Sequence, residues 1–192
     1  MPIFYRGAGV GTYWHQHDAR LTGFVPKAPT IVSSMDRIMQ HVARGSISSP
    51  YISLTRSYGV AWSYALEVGL ELPAENSPAY VYEIELENPL PEGLHLIDPV
   101  KKVIVTASSP LAPITYQHDG LPNFLIGVVD PDGMRKFLDE FAPQPPPARG
   151  TPRRANLTIE LETIVRSLRD AEILAVGYVP AASIRQRIDV YL

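Results

Sequence analysis

Cysteine is absent from the 192 residues, which excludes disulfides, thiolate metal sites and a cysteine nucleophile, and fits a reducing compartment. There is no excess of basic residues either. Seventeen Lys and Arg stand against 20 Asp and Glu, a net charge of −3, so the footprint of a nucleic-acid binder is missing. No apolar run approaches membrane-spanning length, and Met1-Pro2-Ile3-Phe4-Tyr5-Arg6 lacks the basic and apolar regions of a signal peptide. These absences lead us to expect a soluble protein, cytoplasmic or delivered into a target cell, with neither nucleic acid nor membrane as partner. The length suits a single domain spanning 1–192 with a sizeable core.

What is present begins with a short strand, Ile3-Phe4-Tyr5-Arg6, brought to a stop by Gly7, Gly9 and Gly11. A dinucleotide fingerprint would need a third glycine where Thr12 stands, so these glycines read as turn residues. His15, His17 and Asp18 read as a solvated loop rather than a metal site, which requires further ligands at defined geometry. Met35, Ile38, Met39 and Val42 mark a helix capped by Ser33 or Ser34 and ended by Gly45. After an extended Tyr51-Ile52-Ser53-Leu54-Thr55, Ser57 caps a helix with Val60, Ala61, Tyr64, Ala65 and Val68 along one stripe.

Residues 79–86 alternate, with Tyr80, Tyr82, Ile84 and Leu86 on one face and Ala79, Val81, Glu83 and Glu85 on the other. Three apolar pieces follow, at 94–98, 103–105 and 124–129, and then a short helix starting at 130–132 and carrying Met134, Phe137, Leu138 and Phe141. Residues 142–154, with five prolines and three arginines, form an exposed excursion without regular structure. Leu157, Leu161, Ile164, Val165 and Leu168 mark a last amphipathic helix. It hands over at Arg169-Asp170 to the strand Glu172-Ile173-Leu174-Ala175-Val176 and a turn at Gly177 to Pro180.

Three segments carry chemistry. Arg6 on a first strand is costly to bury unless an anion satisfies it, so it holds either a phosphate or carboxylate ligand or a structural ion pair. Ser53 and Thr55, two apart in an extended segment, share a side and can orient a carboxylate and a ligand hydroxyl, or simply line an edge. Asp170 and Glu172 likewise share a face. A carboxylate beside a ribose can accept a hydroxyl hydrogen bond and stabilise an oxocarbenium-like centre, although an acidic loop is the plainer alternative. A second Glu-x-Glu, at Glu83-Ile84-Glu85, is explained by strand alternation and lacks the Gly-x-x-Pro turn that follows Glu172. Of the aromatic residues Tyr58, Trp62 and Tyr64, Trp62 is the candidate to stack on a ligand ring.

In order and character, Phe4-Tyr5-Arg6-Gly7, Tyr51-Ile52-Ser53-Leu54-Thr55 and Asp170-Ala171-Glu172-Ile173-Leu174-Ala175-Val176-Gly177-Tyr178-Val179-Pro180 resemble the Arg, Ser-Thr-Ser and Glu-x-Glu motifs of cholera-toxin-like mono-ADP-ribosyltransferases. The strand at Ala79-Tyr80-Val81-Tyr82 resembles the one that follows the second motif in that family. The resemblance implies an α+β fold of two packed, mostly antiparallel sheets with flanking helices and an NAD cleft. It also implies that NAD is a co-substrate, that Arg6 anchors its phosphate or ribose, that Ser53 and Thr55 support the site, and that Glu172 promotes loss of nicotinamide. Asp170 would meet a protein acceptor. A toxin or effector of this type further implies an immunity protein or chaperone.

The match leaves about 106–156 uncovered and departs from the family in two places. Ser53-Leu54-Thr55 keeps only the first serine of its motif, and Asp170 is one methylene shorter than the Glu of arginine-modifying members. Two alternatives follow: an NAD glycohydrolase that uses water as acceptor, and a non-catalytic binding module that keeps the fold and recognises partners through 142–154.

Overall fold

A computed structural model describes residues 2–45, 48–107, 116–118, 125–128 and 159–192. The strands are β1 Ile3–Ala8, β2 Tyr51–Thr55, β3 Ala79–Glu85, β4 His95–Ile97, β5 Tyr116–His118, β6 Leu125–Val128, β7 Glu172–Val176 and β8 Ile184–Val190. The helices are α1 Tyr13–Gln16, α2 Ala19–Thr22, α3 Met35–Arg44, α4 Tyr58–Glu67, α5 Pro99–Ala107 and α6 Ile159–Asp170. The fold is α+β, and the chain forms two compact units.

The first unit comprises Met1–Ser33, Ile47–Ile97 and Asp170–Leu192. It is built on an open six-stranded sheet in the order β4-β7-β2-β1-β3-β8, in which every pairing is antiparallel. β3 is the strand that alternation foretells, but both of its faces are covered. Tyr82, Ile84 and Leu86 are fully buried on one side. Ala79 and Val81 on the other pack with Ala61 and Ala65 of α4. Burying side chains of this size contributes roughly 1.5–3 kcal/mol each.

The β1 glycine is used differently from the turn reading. Gly7 remains inside the strand, and a Cβ there would lie 2.2 Å from the Ala61 carbonyl oxygen and 2.8 Å from the Ala65 nitrogen. Its missing side chain lets α4 press directly onto the strand. The turn proper comes at Gly11, with φ 78°. β1 pairs with β3 from Ile3 opposite Glu85 to Ala8 opposite Tyr80, and β2 with β7 from Tyr51 opposite Val176 to Thr55 opposite Glu172. Between β1 and β2 the register is a single pair, Tyr5 opposite Thr55.

The second unit comprises Ser34–Ser46 and Asp98–Arg169. Ser34 Oγ accepts from the Arg37 N–H at 3.3 Å to cap α3, which ends at Gly45. The apolar piece at 103–105 lies within α5, whose start is set by Asp98 Oδ1 accepting from the Lys101 N–H at 2.9 Å just before Pro99. In α6 the buried residues are Leu161, Thr163, Ile164 and Ser167, while Val165 and Leu168 stay exposed, so the buried stripe is rotated from the one the apolar residues mark. β5 and β6 form a two-stranded antiparallel pair. The helix expected from 130–132, the proline-rich excursion at 142–154 and Leu157 lie outside the described residues.

Candidate functional site

The site is built where β7, β2 and β1 lie side by side. A cavity of about 350 Å³ opens in the first unit, and Arg6, Ser53, Thr55, Asp170 and Glu172 all line it. Three segments distant in sequence therefore meet at one place. The volume lies in the range of small-molecule sites.

Sheet register explains the arrangement. Residues directly opposite each other in an antiparallel sheet share a face, so Glu172, Thr55 and Tyr5 form one row across β7, β2 and β1. Beyond that row the β1–β2 ladder stops. A continued register would turn Ser53 toward Gly7, but the Ser53 carbonyl instead accepts a hydrogen bond from Arg6 Nη1. The arginine side chain thus bridges the gap at which the two strands part.

Arg6 is half-buried as a residue, with its Nε sealed from solvent and without a hydrogen-bond partner. Its Cζ lies 5.8 Å from the centre of the Phe24 ring. Burial lowers its pKa to about 10, with the Glu172 carboxylate acting in the opposite direction. The guanidinium remains charged at neutral pH.

The turn bearing the two carboxylates is clamped. Thr55 Oγ1 donates to the Asp170 carbonyl at 2.5 Å and accepts from the Ser57 N–H at 3.0 Å. The Arg56 N–H donates to the Ala171 carbonyl at 3.2 Å. Between the carboxylates, Ala171 takes a φ of 44°, the left-handed region a residue with a Cβ rarely enters. Such strain persists only where the surroundings over-determine it. Thr55 therefore acts through the turn: its single hydroxyl proton is committed to Asp170, leaving none to donate to a ligand.

Trp62 does not reach the cavity. Val60 and Tyr64 of α4, and Val68 just past its end, line it, and Trp62 projects from the opposite side of that helix, 41% exposed. The aromatic wall is supplied instead by Tyr5, Tyr13, Trp14 and Tyr64. Trp14 packs edge-on against Tyr13 and Phe24, with ring centres 4.8 and 4.9 Å apart. Tyr64 Oη donates to Asp170 Oδ2 at 2.9 Å.

Sequence reasoning missed Lys27, Tyr13 and Trp14. They lie between the motifs in segments without strong periodicity, and nothing but the fold brings them to the cavity. Among the described residues lining it, Arg6 and Lys27 are the cations and Asp170 and Glu172 the anions.

The histidines and the rival acidic pair have other partners. His15 lies in α1, stacked on Tyr80 with ring centres 4.7 Å apart, its Nδ1 accepting from the Gly11 N–H and its Nε2 donating to the Pro78 carbonyl. His17 stacks on Tyr13, and Asp18 is paired with Arg20 and Arg187. Glu83 and Glu85 share Arg185 of β8, at 3.6 and 3.3 Å.

No protein-family model matches the chain, and comparison with curated proteins finds no match. Among the described residues, no helix is long and apolar enough to cross a membrane.

Proposed function

We propose that this protein is a mono-ADP-ribosyltransferase that cleaves the nicotinamide–ribose bond of NAD and transfers ADP-ribose to a macromolecular acceptor. The observation that carries the reading is the meeting of Arg6, Ser53 and Glu172, from three separate strands, at one cavity. In this reading the positive charge of Arg6, which lines the cavity, holds the pyrophosphate. Ser53 supports the ribose and Glu172. The Glu172 carboxylate stabilises the positive charge that develops on the ribose as the C1′–N bond breaks. The bonding pair leaves with nicotinamide and removes the pyridinium charge. The acceptor's nucleophilic atom then bonds to C1′ and releases its proton to water, with Asp170 meeting the acceptor.

The single Tyr5–Thr55 pair supports reading the six strands as two halves splayed about an NAD cleft, the two-sheet arrangement of ADP-ribosyltransferase-like folds. An enzyme that consumes NAD is a burden to the cell that makes it, so the proposal extends to a toxin or effector held in check by an immunity protein or chaperone.

The test is nicotinamide release from labelled NAD, with and without a cell extract, by the wild-type protein and by Glu172→Gln. Release that falls by about 10²–10³-fold in the variant, with label on protein, supports the transferase. Release without label on any macromolecule makes the protein an NAD glycohydrolase. No release under either condition overturns the catalytic reading and leaves a binding module.

A further inference from the structure

Asp170 and Glu172 are held by different means. Glu172 is the first residue of β7, and the β2–β7 ladder sets it opposite Thr55. Asp170 lies outside that ladder, at the last position of α6, and its carboxylate is reached from α4 by the Tyr64 hydroxyl at 2.9 Å. A phenol bonded to a carboxylate oxygen fixes where the remaining acceptor positions of that carboxylate point. Thr55 holds the backbone of both, but only Asp170 has its carboxylate bonded by Tyr64, so removing the Tyr64 hydroxyl acts on Asp170 first.

Resting on the NAD reading above, we propose that Tyr64 is a positioning residue that orients Asp170 toward the incoming acceptor and so sets the partition of ADP-ribose between a macromolecule and water. The C1′–N bond breaks with its electron pair leaving on nicotinamide, a step served by Glu172. A new bond to C1′ then forms either from water or from the acceptor's nucleophilic atom, with that nucleophile's proton passing to solvent. Both outcomes share the first step and differ in the second, where Asp170 acts. Tyr64 itself lines the cavity together with Asp170 and Val60, so its ring also shapes the side from which the acceptor enters.

The test compares wild type, Tyr64→Phe, Asp170→Asn and the double variant. It measures nicotinamide released and label transferred, using a cell extract and, separately, a simple alkylguanidine as nucleophile. Tyr64→Phe keeps the ring and removes the hydroxyl. The expected result is label transfer lowered at least tenfold and release lowered by no more than about threefold, with the double variant no worse than Asp170→Asn. A residue that only stabilises the fold would lower both together and shift the thermal midpoint without changing their ratio. An unchanged ratio, or label absent from every nucleophile in the wild type despite release, overturns the inference alone. Absence of release from the wild type overturns the NAD reading and this inference with it.

Discussion

Thr55 and Glu172 stand directly opposite each other on β2 and β7, and the Thr55 hydroxyl donates to the Asp170 carbonyl just ahead of that pair. One side chain thus joins the strand that pairs with Glu172 to the turn that precedes it. Thr55→Val keeps the shape and removes the hydroxyl, leaving the Asp170 carbonyl and the Ser57 N–H without their partner. We expect about 1–3 kcal/mol of lost stability by denaturant titration. On the NAD reading, turnover should fall more than NAD affinity, with Thr55→Ser restoring most of it.

Arg6 carries its charge at a cost to stability. Its pKa is lowered by burial to about 10, so the folded protein binds this proton less tightly than the unfolded chain does. The charge therefore opposes folding at all pH values below about 10, and that penalty is relieved only as pH rises from there toward the ordinary arginine range. Arg6→Met is expected to leave thermal stability little changed, because relief of the burial cost offsets the lost bond to the Ser53 carbonyl, and on the NAD reading it should abolish detectable NAD binding in calorimetry. A clear loss of stability would mean that Glu172 and Ser53 depend on the cation for more than ligand binding.

Gly7 predicts the opposite balance. With a Cβ only 2.2 Å from the Ala61 carbonyl oxygen, Gly7→Ala must push α4 off β1, because backbone atoms there cannot swing aside. The expected cost is about 3 kcal/mol or more, read as a fall in thermal midpoint. Turnover should be lost too, since Val60 and Tyr64 line the cavity from the displaced helix.

Asp18 gives an acid-side prediction. Its hydrogen bonds from Arg20, with help from the nearby Arg187 charge, hold the carboxyl below its usual range against the opposing effect of burial. A depressed carboxyl pKa contributes stability that is present above the unfolded value and lost as pH falls through the folded one. Asp18 also accepts from the Arg20 N–H at the start of α2. Asn caps a helix about as well as Asp, so Asp18→Asn removes the charge alone; it should cost about 0.2–1 kcal/mol at neutral pH, and the difference from wild type should shrink below the usual carboxylate range.

Lys27 is the cavity's second cation. If a dinucleotide pyrophosphate is the ligand, Lys27→Ala should raise the KM for NAD about tenfold and leave kcat within about twofold, with Lys27→Arg close to wild type. An unchanged KM would assign phosphate recognition to Arg6 alone.

Much of the first unit was legible because its strands carry period-two patterns and α4 starts on a Ser cap at Ser57, as α3 of the second unit does at Ser34. The three motif segments were legible for the same reason: each lies on or beside a strand whose apolar neighbours must be buried, which brings their polar residues to one region. What stayed hidden has physical causes. The β-branched run at 103–105 suits strand and helix alike, and its Asp98-Pro99 start signal outweighs it. Trp62 and Tyr64 are both aromatic residues on one helix, and only the docking of Ala61 and Ala65 onto the sheet decides which faces the cavity. Lys27 had no local pattern at all.

β7 has one further consequence. It lies between β2 and β4 in the interior of the sheet although it comes late in the chain. A nascent polypeptide has already emitted β1 and β2 from the ribosome while Asp170 and Glu172 are still unmade, and a fragment cut before them lacks both carboxylates and a central strand. Whatever chemistry the cavity performs is therefore withheld until β7 has been made and has taken its place between β2 and β4.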